Sequence, residues 1–327
     1  MNQAASAAFE WLEIMGSSAM KQKRQKSVLG LGWACFEAAA FGRTEHAQTV
    51  EIYPESVVRR IKFQAGGGYD WRIHALETPR DKPAPWKIIV ITGAPSWAEY
   101  WADTMAALPQ DRQMVVVDRP GFAASEPHLC IPDIRVQARA LESVLVAAPG
   151  QKILLVGQSY GAAIAALMAA NNPRKVAGVV MLSSFLGETG PTARWLVETG
   201  QKILHLIPRD LRHAIMEVTG QADQLPLLRA ALGKLTVPVH VIHGDRDDFA
   251  PIETARRLAS EIQTLRPIRF HTVPGANHFM NDGPAEVLEC LEACMVEEKP
   301  TWRLPQLPKL SWPFATAQAP LGEAVGA

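Results

Sequence analysis

Runs of Val, Ile and Leu recur along this 327-residue chain and constrain its fold more than any other feature. The five clearest runs are KIIVIT (87–92), MVVVD (114–118), ILLVG (153–157), VAGVVML (176–182) and VPVHVIH (237–243). Runs that are apolar almost without interruption are typical of strands buried on both faces of a parallel sheet. A sixth strand is predicted at 268–273 (IRFHTV).

Helical segments are predicted between these strands. They lie at 98–108, 133–148, 162–171, 252–262 and 284–297. Alternation of strand and helix predicts an α/β fold with a doubly wound, mostly parallel sheet. Right-handed crossovers place the carboxyl ends of the parallel strands on one edge of the sheet, where ligands bind in such folds. We therefore expect functional residues directly after the strands.

One interval breaks this alternation. No strand is predicted between the fourth and fifth runs, which are instead joined by helical stretches at 192–207 and 211–232. A connection of this length is unusual inside a compact domain. We interpret residues 185–234 as a small helical cap over the ligand edge, inserted into a core formed by residues 57–184 and 235–298.

The two ends of the chain differ from this core. Residues 299–327 are proline-rich and predicted to be extended or disordered. In the N-terminal extension, residues 1–56, a basic run at 21–26 precedes an apolar stretch at 28–41, the order found in signal peptides and membrane anchors. Glu37 interrupts that stretch, which is also short for a membrane span. Two interpretations of this segment stay open: it directs export or contacts a membrane, or it is a surface helix of a cytoplasmic protein. The cytoplasmic location is preferred.

Composition narrows the classes of partner. Lys plus Arg and Asp plus Glu number 33 each, so the net charge is zero and no global field attracts nucleic acid. The cysteines Cys35, Cys130, Cys290 and Cys294 show neither a zinc-binding spacing nor a disulfide framework, and we interpret them as free thiols. No cofactor or metal is predicted, and the oligomeric state is left open.

The clearest chemical signal is the pentapeptide Gly157-Gln158-Ser159-Tyr160-Gly161, which follows the ILLVG run and precedes an alanine-rich segment. G-x-S-x-G between a buried strand and a helix is typical of a nucleophile elbow. Side chains two residues before and after the serine would collide across so tight a turn, and glycine removes both. The amide groups at the start of the helix are then available to a developing oxyanion. We therefore predict Ser159 as a nucleophile.

A nucleophilic serine needs a base and an acid that orients the base. His278 lies in a Pro/Gly loop after the last strand and is predicted as the base, presented to Ser159 without being buried. The turn after the preceding strand carries Asp245, Asp247 and Asp248, any one of which is available as the acid. The other two are expected to cap the helix that follows.

In this order, Ser, Asp and His with these contexts resemble the α/β-hydrolase superfamily over roughly residues 57–298. The family pattern G-x-x-D-x-x-x-P, read from Gly244 to Pro251, implies that Asp247 is the acid. The family pattern G-x-x-H matches the loop that ends at His278. The family turn D-x-P-G-x-G-x-S matches residues 118–125, with Ala123 in place of the second glycine.

The resemblance also implies an oxyanion hole. The family loop after the third strand, usually His-Gly followed by a small residue, matches Thr92-Gly93-Ala94-Pro95. Because Pro95 has no N–H, Ala94 is the implied donor, together with the amide of Tyr160. Thr92 replaces the usual histidine, which leaves the geometry of this loop in question.

The implied activity is that of a carboxylesterase-like serine hydrolase that forms an acyl-enzyme on Ser159. Trp97, Tyr100 and Trp101 after the oxyanion loop, and Trp195 in the cap, are predicted to contact a small, partly apolar ester. Packing of the cap onto the core explains the same aromatic residues equally well. Ser159 argues against relatives that open epoxides or displace halide, which carry Asp at the elbow.

Other functions stay open beside this one. Acyl transfer or C–C bond hydrolysis uses the same three residues, and a non-catalytic binding module retains the same fold. A metallohydrolase is a further alternative, with ligands drawn from a set without compact zinc spacing. That set is His240, His243, Asp245, Asp247 and His278.

Overall fold

A computed structural model describes residues 53–95, 97–262, 267–280 and 283–295. These residues contain one sheet of eight strands. The strands are β1 (Arg59–Gln64), β2 (Arg72–Glu77), β3 (Trp86–Ile91), β4 (Arg112–Val117), β5 (Lys152–Gln158), β6 (Gly178–Leu182), β7 (Val239–Gly244) and β8 (Ile268–Val273).

The order across the sheet is β1-β2-β4-β3-β5-β6-β7-β8. The six strands from β3 to β8 pair in parallel, and these are the six that the apolar runs predict. The antiparallel hairpin β1–β2 was not predicted. Its first strand, RRIKFQ, is exposed or half-buried along its whole length, so it lacks the continuous apolar run of a central strand.

Helices cover both faces of the sheet. They are α1 (Ala102–Ala106), α2 (Ile134–Leu141), α3 (Gly161–Asn171), α4 (Pro191–Lys202), α5 (Arg209–Gly220), α6 (Leu225–Lys234), α7 (Ile252–Glu261) and α8 (Pro284–Cys294). Side chains of α2, α3, α6 and α7 form one apolar cluster with one face of the sheet. Side chains of α1 and α8 form a second cluster on the other face. The doubly wound α/β fold is therefore confirmed.

The connection between β6 and β7 contains three α-helices, a short 3-10 turn at Ala222–Gln224 and no strand, and the structure describes all of it. The stretch predicted as helical at 211–232 is helical in the structure, but it is not one continuous helix. The stretch divides into α5 and α6, because Pro226 fits the first turn of a helix but not its interior. The buried Leu228 and Leu232 of α6 join the apolar cluster of α3, so this part of the predicted cap packs on the core. The extent of the cap stays a prediction.

The interpretations of the two chain ends concern residues 1–52 and 296–327, which lie outside the described residues. Within the described ranges, the helices are all too short or too polar to cross a bilayer. Cys130, Cys290 and Cys294 are free thiols, and burial raises the pKa of Cys130 to about 11 and that of Cys294 to about 12. Thiols with such pKa values are poor nucleophiles at neutral pH.

Candidate active site

Ser159 lies on the turn between β5 and α3 with a backbone φ of +51°. For a residue with a Cβ this left-handed conformation costs about 1–2 kcal/mol, and such strain persists only where the surroundings enforce it. The turn lifts Ser159 off the end of the strand at the carboxyl edge of the parallel sheet. The predicted elbow is thus present as a backbone shape.

The glycines on either side allow the close approaches that this shape requires. A Cβ at Gly157 would lie 2.4 Å from the Gly161 carbonyl oxygen. A Cβ at Gly161 would lie 2.3 Å from the carbonyl oxygen of Ile91 and 2.5 Å from that of Thr92. Gly161 must be glycine because the backbone of β3 cannot move aside without breaking its ladder with β5. Gly157 must be glycine because the backbone at the start of α3 occupies the space of a Cβ.

Replacing Gly161 with Ala is therefore expected to lower the free energy of unfolding by about 3 kcal/mol, the upper end for inserting a methyl group into a packed interior. Urea unfolding would measure the loss. Gly220, at the end of α5, is the matched control, because a Cβ there meets no atom within 4 Å. A Gly161→Ala protein as stable as Gly220→Ala would contradict this account of the elbow.

The loop that follows β3 lies against Ser159. A Cβ built on Gly93 would be 3.1 Å from the Ser159 Cβ and 3.6 Å from its Oγ. Thr92, which replaces the histidine usual in the family, is buried and donates to the Val117 carbonyl oxygen at 3.0 Å. The loop is thereby fixed to β4, and it brings the predicted donor Ala94 to the same end of the sheet as Ser159 and Tyr160.

His278 and Asp247 form a hydrogen-bonded pair. His278 Nδ1 lies 2.8 Å from Asp247 Oδ2, and the Asp247 side chain is fully buried. Asp247 Oδ1 accepts from the amides of Phe249 at 3.0 Å and Ala250 at 2.8 Å. An ionised carboxylate only accepts hydrogen bonds, so this contact keeps the proton on Nδ1 and leaves Nε2 of a neutral His278 free as a base.

The pair lies at the same edge of the sheet as Ser159. Asp247 follows β7, His278 follows β8 and Ser159 follows β5, all at the carboxyl ends of parallel strands. His278 itself is only 6% exposed, whereas an unburied ring was predicted. The correction has a simple cause: the ring stacks on Phe249 with centroids 5.2 Å apart and meets the edge of Phe279.

Comparison with known proteins identifies the fold. A family model described as alpha/beta hydrolase fold matches residues 87–214. The chain has the α/β-hydrolase fold. The match spans the central strands, the elbow and the first part of the helical insertion.

The individual proteins to which this chain is similar are distant in sequence. A 2-hydroxy-6-oxononadienedioate/2-hydroxy-6-oxononatrienedioate hydrolase of Paraburkholderia phymatum is 23% identical over 257 residues, covering 65% of this chain and 86% of the relative. Among solved structures, an esterase from Exiguobacterium antarcticum has a TM-score of 0.57 at 17% identity, covering 71% of this chain and 97% of that one. A carboxylesterase from Bacillus subtilis has a TM-score of 0.55 at 17% identity, with 76% and 95% covered.

A second histidine, His243, contacts Asp247. Its Nε2 lies 3.1 Å from Asp247 Oδ2 and 2.9 Å from the Ala250 carbonyl oxygen. From the sequence, His243 was considered as an alternative metal ligand, and its contact with Asp247 was not predicted. Burial alone raises the pKa of the Asp247 carboxyl, but the charge of His278 and hydrogen bonds from both histidines outweigh it and hold that pKa well below its usual range.

The two neighbouring carboxylates were expected to cap α7, but neither does so. Asp245 Oδ1 accepts from the Gly275 amide at 2.6 Å and so holds the loop that carries His278. Asp248 accepts from the Thr192 hydroxyl at the start of α4. No described side chain caps α7, which follows Pro251. The expectation failed because Asp245 finds its donor in the loop after β8 and Asp248 finds its donor in α4.

The aromatic residues predicted to contact substrate have different surroundings. The Trp97 indole N–H donates to Asp210 of α5 at 2.7 Å, and its ring stacks on Tyr100. The Trp101 indole N–H donates to the side chain of Gln158, next to Ser159, at 3.1 Å. Trp195 is 64% exposed on α4. Trp97 thus links the core to α5, and substrate contact at all four aromatic positions stays a prediction.

The structure brings together only part of the ligand set suggested for a metallohydrolase. His243 and His278 both contact Asp247, whereas His240 Nδ1 lies 3.0 Å from His271 Nε2 and its ring stacks on that of His271. Within the described ranges, no group of three or more His, Cys, Asp or Glu side chains is arranged to hold a metal ion.

Proposed function

We propose that this protein is a serine hydrolase that cleaves an ester or related acyl bond of a small, partly apolar substrate. The observation that carries the proposal is the His278–Asp247 pair, 2.8 Å between Nδ1 and Oδ2, at the sheet edge where Ser159 occupies a strained elbow. A buried carboxylate that orients an imidazole beside an elbow serine is the arrangement that activates a hydroxyl as a nucleophile. The hydrolase names of the relatives support the same reaction class.

In the first half of the reaction, Ser159 Oγ attacks the substrate carbonyl carbon while His278 Nε2 takes the hydroxyl proton. The amides of Ala94 and Tyr160 donate to the oxyanion of the tetrahedral intermediate. His278 then returns the proton to the leaving alcohol, and the acyl group stays on Ser159. Asp247 stabilises the imidazolium throughout and keeps its own charge, consistent with its depressed pKa.

In the second half, His278 Nε2 removes a proton from water, which attacks the acyl-enzyme carbonyl. The intermediate collapses, Ser159 regains its proton from His278, and the acid product leaves. Each half breaks one C–O bond and forms another, and no redox partner or metal is needed for the balance.

The test is a panel of p-nitrophenyl esters with acyl chains from two to twelve carbons, assayed with purified full-length protein. We expect saturable turnover with an optimum among the shorter and medium chains. Turnover at the rate of the uncatalysed reaction across the panel would contradict the proposal. The same preparation assayed before and after treatment with a chelator should show equal activity.

A second candidate is C–C bond hydrolysis, favoured by the name of the Paraburkholderia phymatum relative. The same triad serves that reaction, so the discriminating quantity is relative kcat/KM. We expect kcat/KM for the best ester to exceed that for 2-hydroxy-6-oxononadienedioate. The reverse order would replace the first candidate with the second.

A further inference from the structure

A fully buried ion pair joins the helical insertion to the core. Arg119, in the turn after β4, and Glu217, in α5, both have side chains that are 0% exposed. Arg119 Nη2 lies 2.8 Å from Glu217 Oε2, and Arg119 Nη1 lies 2.9 Å from Glu217 Oε1. Gln137 of α2 completes the cluster by accepting from Arg119 at 2.7 Å and donating to Glu217 at 2.7 Å.

Stability alone is a weak reason for such a pair. Removing two charges from water is costly, and replacing a buried pair with apolar residues of similar size is often neutral or stabilising. We therefore expect the pair to have a second role. The remaining contacts of the Arg119 guanidinium indicate what that role is. Arg119 also donates to the Gly93 carbonyl oxygen, from Nη2 at 2.8 Å and from Nε at 3.3 Å.

Arg119 touches the other side of the predicted oxyanion hole as well. Its guanidinium carbon lies 5.0 Å from the centre of the Tyr160 ring and 4.4 Å from that of Phe122. Tyr160 is fully buried, and its amide is one of the two predicted donors. One side chain thus contacts both residues that flank Ser159 in space, Gly93 and Tyr160.

The geometry of the peptide bond turns the contact with Gly93 into a constraint on Ala94. The Gly93–Ala94 bond is trans, so its C=O and N–H lie in one plane and point in opposite directions. A guanidinium that holds the carbonyl on one side therefore directs the Ala94 N–H to the other. Gly93 lies against Ser159. We take the side to which the Ala94 N–H is directed as the side where an oxyanion forms at Ser159.

We propose that Arg119 is a positioning residue that orients the Gly93–Ala94 peptide for oxyanion binding, and that Glu217 of the helical insertion holds Arg119 in place. This inference rests on the proposed serine hydrolase function. It links docking of α5 to the geometry of the reaction, although neither Arg119 nor Glu217 touches the substrate. Arg, with a planar fork of donors, suits the role because it bonds Glu217 and Gly93 at the same time.

The test replaces the pair as a unit, with Arg119→Met and Glu217→Gln in one protein, so that no unpaired charge is left buried. Removing an oxyanion donor outright lowers kcat by about 10²–10³. Misdirecting it is expected to lower kcat for the best p-nitrophenyl ester by about 10–100-fold, with KM within about threefold. Affinity for an alkylboronic acid, which forms a tetrahedral adduct on the serine, should fall by the same factor as kcat/KM.

Arg119→Lys is the second variant, in case the double variant does not fold. Lys keeps the charge that Glu217 requires but has no rigid fork with which to hold Gly93 as well. Its kcat and boronate affinity are expected to fall together, by a smaller factor, with thermal unfolding close to that of the wild type.

His213→Leu is the matched control. His213 lies one helical turn before Glu217 and contacts the Gly121 carbonyl oxygen at 2.7 Å, so its loss loosens the same helix without touching Gly93. Its kcat should stay within about threefold of the wild type. The inference is overturned if the Arg119 variants keep their kcat and boronate affinity, or if His213→Leu loses both equally. Failure of the proposed function would instead appear in the wild type, as absence of ester turnover.

Discussion

Replacement of Ser159 with Ala is expected to lower kcat/KM for the best p-nitrophenyl ester by roughly 10⁶, the scale of the loss when the nucleophile of a triad is removed. The physical reason is that Ala leaves the oxyanion donors and the base in place but provides no atom to form the acyl-enzyme. Residual rate above that in water then comes from binding and the oxyanion hole alone. Steady-state kinetics with enough enzyme to detect slow turnover would measure the effect.

Ser184→Ala is the matched control for this change. Ser184 is also a buried hydroxyl, and it lies just beyond the end of β6, the strand beside β5. Loss of the Ser184 hydroxyl is expected to change kcat/KM by less than about threefold, because it alters the surroundings of the site but removes no reacting group. Comparable turnover by wild type and Ser159→Ala would end the serine-nucleophile proposal.

The second large effect is expected from Asp247→Asn, with a fall in kcat of about 10³–10⁴, as for the equivalent change in other triads. The asparagine side chain keeps the shape of Asp247 but can present an N–H to His278 Nδ1. The imidazole would then carry its proton on Nε2, the atom required to accept the Ser159 proton. The uncompensated loss of negative charge also leaves the imidazolium less stable in the transition state.

Asp245→Asn separates the role of Asp247 from the general effect of charge in this turn. Asp245 accepts from the Gly275 amide, and the amide oxygen of Asn can accept the same bond. We expect kcat within about threefold of the wild type and a small change in stability. If Asp245→Asn were the more damaging of the two, Asp245 rather than Asp247 would be the acid.

Much of the core was predictable because its strands are buried on both faces. Strand β3 is an example, with Ile88 and Val90 on one face and Ile89 and Ile91 on the other. Because both faces are buried, the strand is recognisable in the sequence as an unbroken apolar run. The hairpin β1–β2 has no such signature, because its first strand is exposed or half-buried throughout. Pro226 lies in the first turn of α6, so the division of the helical stretch at 211–232 could also have been predicted from the sequence.

The polar contacts of the site were less predictable. The elbow is local, so its glycines and serine are visible as one pentapeptide. The contact of His243 with Asp247 depends on how the chain turns after β7, and a histidine at a strand end carries no sign of it. The Arg119 cluster joins Gly93, Gln137 and Glu217 across 124 positions of the chain, and no periodicity connects them. Such contacts follow from topology rather than from local pattern.

The most direct test of the central claim is the site and rate of modification by a fluorophosphonate, followed by mass spectrometry of the intact protein and its peptides. We expect a single adduct on Ser159 in the wild type, none in Ser159→Ala, and labelling slowed by more than about 100-fold in His278→Ala, since general-base assistance contributes about 10²–10⁴. An adduct on another residue, or labelling of Ser159 at an unchanged rate without His278, would contradict the account.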